Sequence, residues 1–140
     1  MNKYLQIVCL LLFVVGCKYQ GQQQVQIKKS EEGIPKFAVQ PEIHNFGEIE
    51  SGEILYYSFK VSNLGSGILS IDSIDAGCAC IEAHWPEVKL LRGEQEYLQI
   101  VFNSAGEWGK VLKPIIVYSN GLPGRHEIFV GAKVNNQLFN

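Results

Sequence analysis

Residues 54–62 read Ile-Leu-Tyr-Tyr-Ser-Phe-Lys-Val-Ser, so that Leu55, Tyr57, Phe59 and Val61 alternate with Ser58, Lys60 and Ser62. A period of two sends successive side chains to opposite faces of a strand, one turned to a core and one to water. The same alternation returns at Leu98, Ile100 and Phe102, and again at Ile128, Val130, Ala132 and Val134. The segments between these rows carry turn chemistry: Glu50-Ser51-Gly52-Glu53, Asn63-Leu64-Gly65-Ser66-Gly67, Leu91-Arg92-Gly93-Glu94 and Asn120-Gly121. Glycine and asparagine tolerate the positive φ that tight turns require. Short alternating runs broken every eight to twelve residues by such turns make the pattern of a β-sandwich. The expected strands are 37–46, 54–62, 68–75, 79–83, 96–103, 111–119 and 126–134. No window shows helical periodicity. Pro114 falls inside the sixth strand and predicts an edge or a bulge, since proline has no N–H to donate to a ladder. The fold class is therefore all-β, a seven-stranded immunoglobulin-like antiparallel sandwich over residues 37–140.

The chain has 140 residues, of which 46% are hydrophobic and 19% charged, and its formal net charge is −2. This is one domain's worth of an ordinary globular composition. A nucleic-acid binder would need a basic stripe or patch, and none is present, so nucleic acid is not an expected partner.

The amino terminus is read as an address. Lys3 precedes an apolar run through Leu5, Ile7, Val8 and Leu10 to Val15, and Gly16-Cys17 follows it. The run is shorter than the ~20 apolar residues of a membrane span and suits a signal-peptide core. Val14-Val15-Gly16-Cys17 resembles the lipobox of bacterial lipoproteins, in which a small residue precedes the cysteine that receives lipid. That resemblance makes 1–16 a signal peptide, discards Cys9 with it, and makes Cys17 the acylated first residue of the mature chain. Lys18 to Lys36 is polar, with Val25, Ile27 and Ile34 as scattered aliphatics. Residues 17–36 are thus expected to be a lipidated flexible tether, about 24 Å in root-mean-square span as a coil. The expected location is the cell envelope, anchored to a membrane through Cys17. Lys18 after the cysteine, without an acidic cluster, fits the outer membrane where a cell has two.

Cys78-Ala79-Cys80 is the one feature with its own chemistry. Outside the cytoplasm a thiol pair tends to oxidise. On a flat strand the Cα atoms of residues i and i+2 lie about 6.5 Å apart, so a bond between them needs a bulge or turn, which Gly77 can permit. Three readings stand beside one another. The cysteines pack as small hydrophobes or close a structural disulfide; or Cys78, Cys80 and His84 supply soft donors to Cu(I) or Zn²⁺; or the pair is redox-active, without a C-x-x-C spacing or a helix amino terminus to lower a thiol pKa. His44, His84 and His126 have no serine or aspartate constellation around them, and no nucleophile elbow, dinucleotide fingerprint or P-loop occurs. His44 reads as a strand-end residue, and no enzymatic activity is expected. Trp85 and Trp108 in or beside turns, with Tyr56, Tyr97 and Phe129 on outward faces, form a candidate interaction surface for glycan or peptide.

The order of these signals resembles the bacterial domain-of-unknown-function family fifteen-seventy-three, which is similar to the Hydin-type immunoglobulin-like domains. The matching residues are Phe46-Gly47-Glu48-Ile49, Gly52-Glu53, Phe59-Lys60-Val61-Ser62-Asn63 with Gly65, Cys78-x-Cys80, Trp85-Pro86, Gly93-Glu94, Val101-Phe102-Asn103, Gly109-Lys110 and Val117-Tyr118-Ser119-Asn120. The resemblance implies a seven-stranded sandwich, and many members look like lipoproteins or secreted proteins. It implies no established activity. Ala79 and Ile81 depart from the family's Cys-Gly-Cys-Thr pattern, and Arg92 stands where a turn proline is common.

Two functions follow as expectations. The first is a lipid-anchored, non-catalytic interaction module with a protein or glycan partner in the envelope. The second is a thiol-dependent envelope protein, in metal handling or disulfide exchange, working through Cys78 and Cys80. The intact mass of the membrane-extracted protein tests the address: it should match a chain beginning at Cys17 plus acyl groups, and a mature chain beginning elsewhere would overturn it.

Overall fold

The computed structural model describes residues 33–135. The expected signal peptide (1–16), Cys17 and most of the expected tether lie outside the described residues, as do residues 136–140. Eight strands follow in order: β1 (Phe37–Gln40), β2 (Ile43–Glu50), β3 (Ile54–Asn63), β4 (Ile71–Asp75), β5 (Ile81–His84), β6 (Gln95–Asn103), β7 (Gly109–Ser119) and β8 (Arg125–Asn135). They form two four-stranded sheets, ordered β1-β3-β6-β5 and β2-β8-β7-β4.

The alternating rows explain the layering. β3 and β6 pair in register from Ile54↔Asn103 to Ser62↔Gln95, which sets Leu55, Tyr57 and Phe59 opposite Phe102, Ile100 and Leu98 on one face. In the second sheet Ile115 lies opposite Ile128. The two apolar faces meet in one core, where Phe59, Leu98, Ile100, Ile115, Val117 and Ile128 are each 0% exposed. At about 25 cal/mol per Å², burying such side chains contributes about 1.5–3 kcal/mol apiece and drives the sandwich together.

Several expectations need correction. The strand expected over 37–46 is two strands, so there are eight rather than seven. Pro41 interrupts it, having no N–H to continue a ladder. Before it, β1 pairs antiparallel with β3; after it, β2 pairs with β8 in the other sheet. The Glu42 carbonyl accepts the first bond of the new ladder from the Phe129 N–H, at 2.8 Å. The β2–β8 pair is parallel, so the fold is not purely antiparallel. A parallel neighbour requires a long connection, and here β3 to β7 intervene in sequence. Pro114 does not mark an edge strand, since β7 lies between β8 and β4. It lies beyond Ile116, the last β7 residue paired with β4, where that side of β7 is locally unpaired. The fourth expected strand, 79–83, begins only at Ile81, and both cysteines precede it. The third, 68–75, begins at Ile71, with Leu69 joined to Leu90 by a single bridge.

The last four residues assigned to the tether, Gly33 to Lys36, are docked on the sandwich. Ile34 and Ser66 bond through Ser66 N–H to Ile34 C=O at 3.0 Å, Leu64 N–H donates to Lys36 C=O at 2.9 Å, and Leu122 N–H donates to Pro35 C=O at 3.1 Å. The approach is so close that a Cβ on Gly65 would sit 2.2 Å from the Ile34 carbonyl oxygen, and one on Gly67 would sit 2.3 Å from the Gly33 oxygen. Gly65 and Gly67 are therefore glycines because of contact; neither has the positive φ that their turn suggested.

Asn63 holds this junction. It is 0% exposed. Its side-chain Nδ2 donates to the Gly67 carbonyl at 2.7 Å and the Leu90 carbonyl at 2.9 Å, and its Oδ1 accepts from Gly65 N–H at 2.9 Å and Lys36 N–H at 3.2 Å. Asn63→Ala would leave the buried Gly67 and Leu90 carbonyls unpaired and release the part-buried Gly65 and Lys36 N–H groups, so it should lower unfolding stability by about 3 kcal/mol in urea titration. Ser104→Ala, removing a buried hydroxyl from the Glu50 and Glu53 carbonyls and the Gly52 N–H, should cost less, about 1–2 kcal/mol.

Candidate interaction surface

Cys78 and Cys80 are joined in a disulfide, with Cα atoms 5.2 Å apart. The approach is closer than the flat-strand spacing because the pair lies in a turn. Gly77 has φ 69°, its N–H donates to Asp75 Oδ1 at 2.9 Å, and Ile81 N–H reaches back to the Cys78 carbonyl at 3.4 Å. The Asn103 N–H donates to the Cys80 carbonyl at 2.9 Å and starts the β5–β6 ladder. The bridge thus clamps the passage from β4 in one sheet to β5 in the other, with both cysteines half-buried against the core.

His84 is not brought to the sulfurs as a third donor. It is exposed on β5, with Nε2 3.6 Å from Glu82 Oε2. Among the described residues no group of three His, Cys, Asp or Glu side chains is placed to hold a metal ion, and bonded sulfurs are not the thiolates that Cu(I) or Zn²⁺ binds. His44 faces inward, opposite Val130 on β8. Its ring stacks on Tyr57 at 3.5 Å between centroids and 9° between planes, and it meets Phe46 edge-on. Burial lowers its pKa below the usual 6.5. His126 lies against Phe37 with centroids 4.0 Å apart. Its pKa is also lowered, chiefly by burial, with the Pro123 backbone and Glu42 opposing.

The five aromatic residues read as a surface do not form one row. Tyr56 and Tyr97 are both exposed on the outer face of the first sheet, but at different levels: Tyr56 is opposite Val101 and Tyr97 opposite Lys60. Four residues of strand separate those levels, about 13 Å. Trp108 is exposed in the β6–β7 connection. Trp85 is half-buried against the core, its Nε1 buried without a hydrogen-bond partner among the described residues. Phe129 belongs to the outer face of the second sheet.

That outer face carries a surface that the alternating rows do not mark. Across β2, β8 and β7 the register sets Ile43, Phe129 and Pro114 in one row, and Asn45, Gly131 and Leu112 in the next. Ile43 is 54% exposed and Leu112 57%. Gly131 contributes no side chain, and a Cβ there would lie 3.4 Å from Leu112 Cδ1. The result is a shallow trough walled by Leu112 and Ile43 and floored by Gly131. The next row, Glu48, Lys133 and Lys110, is charged, with Lys133 Nζ 2.8 Å from Glu48 Oε1. This pairing, by hydrogen bond and charge, lowers the Glu48 pKa. The signal was present in β7, where Leu112, Pro114 and Ile116 are apolar out of phase with Ile115 and Val117. A strand apolar on both faces announces a second covered face.

The family model described as protein of unknown function (DUF1573) matches residues 37–134. The chain belongs to this family. No curated protein matches it significantly. Among solved structures it is similar to a protein of unknown function from Porphyromonas gingivalis W83, with TM-score 0.61 and 19% identity over 72% of this chain and 46% of that one. The family member therefore spans about half the length of that relative. It is also similar to the ASH/PapD-like domain 7 of human CEP192, with TM-score 0.55 and 14% identity over 72% of this chain and 86% of that one. A third likeness is to a chain of the CsuC–CsuE chaperone–tip adhesion subunit pre-assembly complex of Acinetobacter baumannii, with TM-score 0.51 and 18% identity over 71% and 52%. At these identities the likenesses concern the fold, an all-β immunoglobulin-like or PapD-like sandwich.

A disulfide closing so short a loop constrains the unfolded chain only modestly. Replacing Cys78 and Cys80 together by serine should cost about 1–2 kcal/mol of stability by the loop-entropy relation, measured by thermal unfolding against the oxidised protein.

Proposed function

We propose that this family member is a non-catalytic binding module of the cell envelope, lipid-anchored through Cys17, which holds a protein partner on the outer face of its second sheet. The observation that carries the reading is the trough on that face. Ile43 and Leu112 stand exposed on it, and the strand register continues the apolar surface beside it through exposed Pro114 and half-buried Phe129, whereas apolar surface on a monomer of this size is usually scattered. The arrangement suits an interface in two further ways. An apolar centre bordered by the charged Glu48, Lys133 and Lys110 has the layout of a binding patch with a polar rim. β2 is also an edge strand, so its free backbone groups adjoin the patch and can pair with an extended segment. The disulfide serves this reading as a staple, and its bonded sulfurs are not the thiolates that metal handling would need.

The test places a photo-crosslinking amino acid at Leu112 in the native membrane-anchored protein, with Ser58 on the opposite sheet as control. A discrete protein adduct from position 112, lost when Ile43→Lys is added, is the expected result. No adduct beyond the Ser58 control, or an adduct to glycan alone, would overturn the assignment of a protein partner. Ile43→Lys should leave stability within about 0.5 kcal/mol, because the side chain is already half in water.

A further inference from the structure

The pole of the sandwich where the chain enters carries a second apolar cluster. Ile34, Leu64, Leu91 and Leu122 come from four separate segments, yet each is between 47% and 62% exposed. The hydrogen bonds that dock Gly33 to Lys36 bring three of them to one place: Ser66 N–H to Ile34 C=O, Leu64 N–H to Lys36 C=O, and Leu122 N–H to Pro35 C=O. Ile34, Leu64 and Leu122 line one shallow depression together with Lys36 and Arg92. Leu91, adjacent to Arg92, is tied there through its N–H to Glu94 Oε2 at 2.8 Å. Among the described residues, the charged side chains lining the depression are the two cations, Lys36 and Arg92, while the Glu94 carboxylate accepts the Leu91 N–H within its turn.

These loop-tip aliphatics are not spare core residues. Leu69, Leu90 and Phe37 close the core beneath this pole, each below 5% exposed. Apolar tips with two cations beside them match the chemistry of a membrane interface, where aliphatic groups enter the headgroup–acyl boundary and cations meet anionic headgroups. The place on the chain points the same way. Cys17 lies 16 residues before Gly33, and Gly33 is fastened at this pole. Sixteen residues reach at most about 55 Å even when extended, so an acyl group on Cys17 keeps the pole near the bilayer. Contacts too weak to bind alone become effective when an anchor raises their local concentration.

We infer that this pole is a second membrane contact, in which Ile34, Leu64, Leu91 and Leu122 seat in an anionic bilayer surface and orient the sandwich upright on it. The inference rests on lipid anchoring through Cys17 and adds to it an orientation. An upright sandwich presents the trough sideways, along the membrane, and lifts Trp108 at the opposite pole away from it.

The experiment uses the full chain extracted from its membrane, with acylation checked by intact mass, and reconstituted in vesicles of phosphatidylethanolamine and phosphatidylglycerol. Leu64→Trp and, independently, Leu122→Trp report depth through quenching by lipids brominated on their acyl chains, against a Ser58→Trp control. Quenching about twofold stronger at 64 and 122 than at 58 is expected, diminishing when phosphatidylcholine replaces phosphatidylglycerol or when Lys36→Ser and Arg92→Ser are combined. Acylated protein that floats with the vesicles but is quenched equally at all three positions would overturn the contact and leave the anchor standing. A chain without acyl mass would overturn the anchor and this inference with it.

Discussion

The buried amide of Asn63 is the constraint on which this sandwich closes. An asparagine side chain offers two donor hydrogens and two acceptor sites, and here all four are used, on Lys36, Gly65, Gly67 and Leu90. Its own backbone adds bonds to the next connection, its N–H donating to Glu94 C=O and its C=O accepting from Gly93 N–H. One residue at the end of β3 therefore joins the entering chain, the β3–β4 turn and the β5–β6 connection. No apolar residue could do so, because the buried Gly67 and Leu90 carbonyls would remain unpaired away from water. Gly65 and Gly67 complete the device by letting two backbones touch. At the far pole Ser104 does a smaller version of the same work, between the β2–β3 turn and the end of β6.

With its poles tied, the chain can change sheets without loss of order. It crosses twice at points marked by special covalent chemistry. At Pro41 the missing N–H ends β1's ladder and frees the chain for β2. At Cys78–Cys80 the disulfide fixes the turn between β4 and β5. Both crossings occur where a continuous ladder would otherwise carry a strand on in the wrong sheet. The disulfide's place explains why the thiols do not meet His84: the bond is spent inside the turn, and the next strand carries the imidazole out to solvent.

The two apolar surfaces differ in origin, and this gives them different meanings. The trough on the second sheet is built from ladder register, so its shape is as rigid as the sheet beneath it. The pole cluster is built from loop tips held by a few hydrogen bonds, an arrangement suited to a soft, unstructured partner such as a bilayer. On the proposed reading, the rigid lateral face recognises a partner and the adaptable base holds the module in place. The histidines take no part in either. His44, stacked on Tyr57 with its pKa lowered by burial, is a packing residue.

The rows Leu55 to Val61, Leu98 to Phe102 and Ile128 to Val134 determined by themselves that the protein is an all-β sandwich, because a period of two has one reading when one face must be buried. The turn signals likewise placed most strand boundaries to within a few residues, and the spaced motifs from Phe46 to Asn120 carried the family. Only the tertiary structure decided the rest. Whether Pro41 ends a strand or kinks it depends on which sheet lies beside it. Whether Gly65 serves a φ or a contact depends on a segment thirty residues away in sequence. Alternation marks a buried face; it does not reveal that Ile43, Phe129 and Pro114 stand abreast on the other face, since register between distant strands is set by the packing of the whole core. Composition could offer Cys78, Cys80 and His84 as partners, but the turn that joins two of them and excludes the third exists only in the fold.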